Sequence, residues 1–151
     1  MDLNLDNMED IDNTAEIEAE IDNILDNINY TEYLTLTEID SKNEAIIDHT
    51  LNRFSHYDTN MGKRDMFLKE LKGFQYIDVD KIKKGNIIKY LDLRIFYDIA
   101  MLNGYVAAAT KKAIIIFDNI YTRRIKKNYN IFFKKITNED LVKIKLIELI
   151  K

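Results

Sequence analysis

The spacing of apolar residues changes once along this 151-residue chain, near Gly73, and that change limits the fold more than any other feature. Ahead of it, apolar side chains recur every three or four positions, the period of one face of an α-helix. Beyond it they fall in short runs rich in Ile, Tyr, Phe and Val, bounded by Gly, Asn or Lys-Lys, which is the pattern of strands. The expectation is an α+β fold: an acidic helical N-terminal region, a small antiparallel β-sheet or partly closed barrel, and a C-terminal helix.

The helical part divides at its capping signals. Asn13 with Glu16 three positions on has the spacing of a capping box. Ile17, Ile21, Ile24 and Ile28 then follow at +4, +3 and +4, one apolar stripe with acidic residues opposite. Two heptads are too short for a free-standing coiled coil, and so short a helix is marginal alone, so the stripe needs a groove or a partner helix. These four isoleucines are a candidate partner-binding face, with packing onto the body of their own chain as the simpler reading. Thr31, Thr35 and Thr37 read as an extended or loop segment. Ser41 and Glu44 repeat the capping-box spacing ahead of a helix with Ile47, Leu51 and Phe54 on one face. Thr59 to Gly62 reads as a turn, and Lys63 to Lys72 as a short helix ended by Gly73.

Strands are expected near 75–79, 86–91, 94–100, 104–109, 113–118, 121–127 and 129–136. The run AIIIF at 113–117 suits a strand covered on both faces. Tyr129, Ile131 and Phe133 alternate with Asn130, Phe132 and Lys134, as in a half-buried strand. Asn103-Gly104 reads as a tight turn, and RIFYDIAML at 94–102 also fits a helical turn or two. Thr137 with Asp140 caps a last helix whose Leu141, Ile144, Ile147 and Leu149 face inward. The divisions are therefore an acidic, partly helical arm at 1–40, a helical segment at 41–74, and a basic β-rich domain with a C-terminal helix at 75–151.

Charge follows the same division. The formal net charge of -4 is the residue of two opposed parts. Residues 1–50 hold 15 acidic side chains and one basic, Lys42, whereas residues 81–136 hold 13 basic and 3 acidic. Such asymmetry points to polyanion binding, to an acidic tail, or to attraction between the two parts. The basic candidates are Lys111 and Lys112 at a turn and Arg123, Arg124, Lys126 and Lys127 in and after a strand, with Tyr121 and Tyr129 beside them. Cations for phosphate and rings for base stacking are what a single-stranded nucleic acid requires. The same residues also guard sheet edges against aggregation. In a hairpin of 113–118 with 121–127, the Lys111-Lys112 pair and the Arg-Arg-x-Lys-Lys cluster are expected at opposite ends.

Catalytic patterns are thin. The chain has no Cys, so thiolate chemistry, disulfides and Cys-based metal sites are excluded. Its two histidines, His49 and His56, are seven apart on roughly one helical face, too far to share one metal directly. There is no G-x-S-x-G elbow, Walker loop or G-x-G-x-x-G, and DNMEDIDN lacks the central Gly of a calcium loop. The expectation is a protein without enzymatic activity, cofactor or metal. The N-terminus lacks a basic region and a long apolar run, and no stretch approaches the roughly 18 apolar residues of a membrane span. An intracellular location follows.

The segments KKGNIIKYLDL, LNGYVAAATKKAIIIFDN and NYNIFFKKI together resemble short β-rich modules in proteins of nucleocytoplasmic large DNA viruses. There a Gly-led strand, a Gly-started hairpin and a closing aromatic-Lys strand follow one another. The matching positions are Gly85 to Leu91, Gly104 to Phe117 and Asn130 to Ile136, about a third of the chain. Those modules often carry a Gly-Gly pair and a closing Trp, where this chain has Asn103-Gly104 and no Trp. Ile, Lys and Asn fill 56 positions, the usage of an AT-rich genome, as in many such viruses. The resemblance implies a structural or assembly protein, a minor capsid or other virion component, that contacts other protein subunits or itself. The alternative is a nucleic-acid-binding protein whose acidic arm limits non-specific binding.

Overall fold

The computed structural model describes residues 34–150. The expected helix over 13–29, with Ile17, Ile21, Ile24 and Ile28, lies outside them. Among the described residues there are three α-helices and one six-stranded antiparallel sheet, an α+β fold.

Helix α1 spans Leu36–Arg53. It starts five residues ahead of Ser41, because Thr35 and not Ser41 is its cap. The Thr35 hydroxyl accepts from the Glu38 N–H at 3.2 Å and donates to the Glu38 carboxylate at 3.0 Å. Thr35 is thus the working N-cap; of the residues expected to be extended or loop, Thr35 keeps an extended backbone and Thr37 lies in the helix. The earlier start puts Ile39, Asn43, Ile47 and Thr50 on the buried face. After a 3₁₀ turn at Asp58–Asn60, helix α2 runs over Arg64–Glu70. Arg64 ties it to α1, at 2.5 Å from both the Asp48 and Glu44 carboxylates. Gly73 follows with φ +80°, a left-handed turn that releases the chain into the sheet.

The strands are β1 Phe74–Ile77, β2 Ile87–Asp92, β3 Met101–Ala109, β4 Ala113–Phe117, β5 Thr122–Lys126 and β6 Asn130–Lys135. Helix α3, Asn138–Ile150, closes the chain. Its cap is the expected one: the Thr137 hydroxyl accepts from the Asp140 N–H, and the Asp140 carboxylate accepts from the Thr137 N–H. Ile144 and Ile147 are buried, whereas Leu149 points outward at 84% exposed. Ile136 and Ile144 pack with Ile39, which fastens α3 to the start of α1.

The sheet order is β1-β6-β2-β3-β4-β5. Three strands separate β5 from β6, yet only Lys127–Tyr129 joins them. On a flat sheet that step is about 19 Å, and four residue steps reach roughly 14 Å. The sheet must therefore curl. Arg123 of β5 accordingly reaches across to the Tyr90 hydroxyl on β2. Curling lets the inner face cover itself: Ile77, Ile88, Tyr90, Val106, Ile114, Ile116, Ile125 and Phe132 form one cluster, with Ile82 from the β1–β2 connection. Among the described residues the sheet stays open, with β1 and β5 as its edge strands.

Two expectations in this region are corrected. Asn103-Gly104 is not a turn; both lie inside β3, paired with Lys89 and Ile88. Glycine is required there for space, since a Cβ on Gly104 would lie 2.0 Å from the Ile116 Cγ2. Nor is 94–100 a strand. Apart from a turn bond from the Asp98 N–H to the Ile95 carbonyl at 3.2 Å, its backbone bonds go to side chains: Asn60 donates to the Phe96 carbonyl at 2.7 Å and accepts from the Ile99 N–H at 2.9 Å. Lys63 holds the Ile99 carbonyl at 2.6 Å, and the Thr59 hydroxyl donates to that of Tyr97.

Candidate interaction surface

Among the described residues, helices cover only half the width of the sheet's outer face. Helices α1 and α2 lie over one half, where Ile47, Phe67 and Leu71 pack on Leu91 and Phe133, with Phe74, Tyr76 and Ile131 around them. Fully burying each such side chain contributes about 1.5–3 kcal/mol. Phe132 and Phe133 are both buried, one in each cluster, so β6 is covered on both faces and is not the half-buried strand expected.

The other half of that face, over the start of β2 and strands β3 to β5, has no helix on it among the described residues. Its outward residues follow from the register. Ile114, Ile116 and Ile125 point into the inner cluster, so their neighbours Ala113, Ile115, Phe117, Arg124 and Lys126 point out. Ile87 pairs with Tyr105, Tyr105 with Phe117, and Phe117 with Thr122. This gives one straight row across four strands. Ile87, Tyr105 and Phe117 are 45%, 44% and 44% exposed, although each belongs to a residue type that a sheet ordinarily shelters on one side. The strand AIIIF is thus sheltered on both faces at Ala113 but ends bare at Phe117.

The basic residues divide around this row. Lys111 and Lys112 do form the β3–β4 turn, closed by the Thr110 hydroxyl, which donates to the Ala113 carbonyl at 3.0 Å. Lys126 pairs with Ala113, and the Lys127 N–H donates to the Lys112 carbonyl at 3.4 Å. The four lysines are therefore gathered at one end of the hairpin. The Arg-Arg-x-Lys-Lys cluster is itself split: Arg123 and Arg124 lie toward the other end, opposite Ile116 and Ile115. An antiparallel return brings the end of β5 back to the start of β4, which is why the lysine pairs meet.

Arg123 is occupied. Its guanidinium lies 3.0 Å from the Asp118 carboxylate and reaches Tyr90. Burial pushes the Tyr90 hydroxyl pKa up, and Arg123 partly opposes that. Asp118 is held below the usual carboxylate range, first by the Tyr121 N–H at 2.9 Å and further by the Ile120 N–H and Arg123. These bonds shape the β4–β5 turn, where Asn119 adopts φ +80°. Among the described residues, Lys111, Lys112, Arg124, Lys126 and Lys127 have no carboxylate within ion-pair distance. Tyr121 and Tyr129 are both exposed, but they lie outside the row. Tyr121 ends the β4–β5 turn, and Tyr129 sits in the β5–β6 connection, its carbonyl accepting from the Leu93 N–H.

His49 and His56 do not share a helical face: α1 ends at Arg53, and the His56 ring sits 4.0 Å from that of Tyr57. Among the described residues, no group of three or more His, Asp or Glu side chains is placed to hold a metal ion. None of the described helices is long and apolar enough to cross a membrane. No protein-family model, curated protein or solved structure matches this chain.

Sequence reading did not single out Ile87, Tyr105 and Phe117. Alternation within each strand carries part of the signal, since each flanks an inward Ile or Val. Their alignment into one row depends on the pairing register, which no single strand encodes.

Proposed function

We propose that this chain is a non-enzymatic structural or assembly protein that contacts other protein subunits through the bare half of its sheet. The observation that carries this reading is the Ile87–Tyr105–Phe117 row. A contiguous apolar patch rimmed by polar residues is the usual mark of a protein contact surface. A place in the particle of a large DNA virus rests on the resemblance of Gly85 to Leu91, Gly104 to Phe117 and Asn130 to Ile136, which fall on β2, on the β3–β4 hairpin and on β6. The test is light scattering on the full chain over a range of concentrations, alone and mixed with particle proteins. Protein complexes that vanish with Phe117→Asp, at an unchanged melting temperature, support the reading. Complexes indifferent to Phe117→Asp and to Tyr105→Asp overturn it.

A second reading has its own observation: Arg124 and Lys126 share the outward face with Tyr105 and Phe117, an arrangement of cations around rings that suits a single-stranded nucleic acid. That reading requires retention on DNA or RNA to weaken steeply with salt. With four phosphate contacts, affinity falls roughly 50-fold between about 50 and 200 mM salt. Retention that is absent, or indifferent to salt, removes it.

A further inference from the structure

We propose that the free edge of β5 is a strand-addition site, which takes an extended acidic segment of a partner protein. This rests on the reading of the bare half-sheet as a contact surface, and it names the chemistry of the partner. The backbone of β5 is open to such a segment. The Asp118 N–H donates to the Tyr121 carbonyl at 3.1 Å, and the Lys127 N–H to the Lys112 carbonyl at 3.4 Å. Hydrogen-bonded pairs alternate along an antiparallel ladder. Between those two bonds, the bonded pairs are therefore Ile116 with Arg123 and Ile114 with Ile125. Thr122, Arg124 and Lys126 turn their N–H and carbonyl groups the other way, off the edge. The Lys126 carbonyl accepts from the Asn130 side chain at 2.8 Å, and the rest have no partner among the described residues. A row of such groups is a template for one more strand.

The side chains select what is added. Arg124 and Lys126 project from the outer face about 7 Å apart, the spacing of alternate side chains on any extended segment. Neither has an ion-pair partner among the described residues, and nor do Lys111, Lys112 and Lys127 at the same end of the hairpin. Ile125, between them, faces the inner cluster. An added strand meets cations on one face and isoleucine on the other, which fits a segment that alternates Asp or Glu with apolar residues. A second copy of β5 does not fit, because it sets Arg124 and Lys126 beside the same cations, and like charges across a strand pair are destabilising. A nucleic acid matches the charge but has no alternating donors and acceptors for the edge. The cations that guard this edge against self-pairing make it selective for acidic strands. The site also adjoins the bare row, since Thr122 lies opposite Phe117.

The test is fluorescence anisotropy on the full chain with labelled peptides of alternating Glu and Val. Two further versions carry N-methyl groups on the Glu amides or on the Val amides, so that each blocks one edge of the peptide. Peptides of alternating Lys and Val and an oligothymidylate complete the set. The expected result is binding of the Glu-Val peptide and not of the Lys-Val peptide, lost with one N-methylated version and kept with the other. Arg124→Glu plus Lys126→Glu, at an unchanged melting temperature, should weaken the Glu-Val peptide about tenfold and admit the Lys-Val peptide. No binding of the Glu-Val peptide, or any other pattern between the two N-methylated versions, overturns the proposal, and that comparison uses the native chain. Oligothymidylate that binds more tightly than the peptide and is lost with the same charge reversal also overturns it, by giving the edge to nucleic acid. If the peptide fails while Phe117→Asp still abolishes the protein complexes, the contact reading stands without this partner. If the peptide binds as expected while the complexes ignore Phe117→Asp and Tyr105→Asp, the contact reading alone is lost and the edge is a site of its own.

Discussion

The two halves of the sheet's outer face use similar residues and meet different neighbours. On one half Phe133 of β6 is fully buried beneath α1 and α2, against Ile47, Phe67 and Leu71. On the other, Phe117 of β4 stands 44% exposed between Tyr105 and Thr122. Both are phenylalanines on antiparallel strands of one sheet, and β-propensity treats them alike. The first half stabilises the fold. The second leaves apolar area that no helix covers among the described residues, and that difference is the basis for proposing a contact surface on β3 to β5.

Substitutions probe the contrast directly. Phe133→Ala should have the largest effect, about 4 kcal/mol of lost stability from buried area and the cavity left behind, measured as a shift in urea midpoint. A loss under about 0.5 kcal/mol, the range of surface substitutions, would mean that the helices do not seal that half. Gly104→Ala should cost about 3 kcal/mol by overpacking, because the new methyl collides with Ile116 inside the curled face. A mild outcome would show that the sheet relaxes and is less tightly curled than the Tyr90–Arg123 contact implies.

Asn60→Ala comes next, at about 2 kcal/mol, since it leaves the buried Ile99 N–H without a partner. Hydrogen exchange should rise first over 94–99, the segment Asn60 holds. Smaller again is the response to acid. Asp48 is held low chiefly by its hydrogen bond from Arg64, Asp92 by Arg94, and Asp118 by the Tyr121 N–H. A depressed folded-state pKa contributes stability that is present above the unfolded value and lost as pH falls through the folded one. Melting temperature should therefore be flat from about pH 8 to 5 and decline only below about pH 4. Arg64→Met should flatten the part of that decline that Asp48 supplies. Phe117→Ala should be the smallest, within about 0.5 kcal/mol in stability. A cost above about 2 kcal/mol would mean that the chain already buries the row.

How much of this was legible depended on the range of the interaction. Thr137 with Asp140 was readable because a capping box is complete within four residues. Thr35 with Glu38 has the same form and was passed over for Ser41 with Glu44; the buried Ile39, which only packing against Ile136 and Ile144 reveals, decides between them. The strand at 94–100 was misread because RIFYDIAML has strand-like residues whose backbone partners, Asn60 and Lys63, lie 36 to 39 positions away. Gly104 was misread as a turn for the same reason, since the Ile116 that forbids its Cβ is on the next strand.

By itself the sequence determined the α+β class, the change of period at Gly73, five of the six strands at nearly their observed bounds, and the opposed charge of its two ends. These are properties of neighbouring residues: period, propensity and charge count need no knowledge of what lies across the fold. The sixth strand, β3, begins three residues earlier than expected and runs through the supposed turn. The tertiary structure alone decided which strand faces helix and which faces water, that the lysine pairs meet while the arginines part, and that Ile87, Tyr105 and Phe117 align. Those outcomes follow from register and curl, which are set by pairings between distant segments and by a three-residue link too short for a flat sheet.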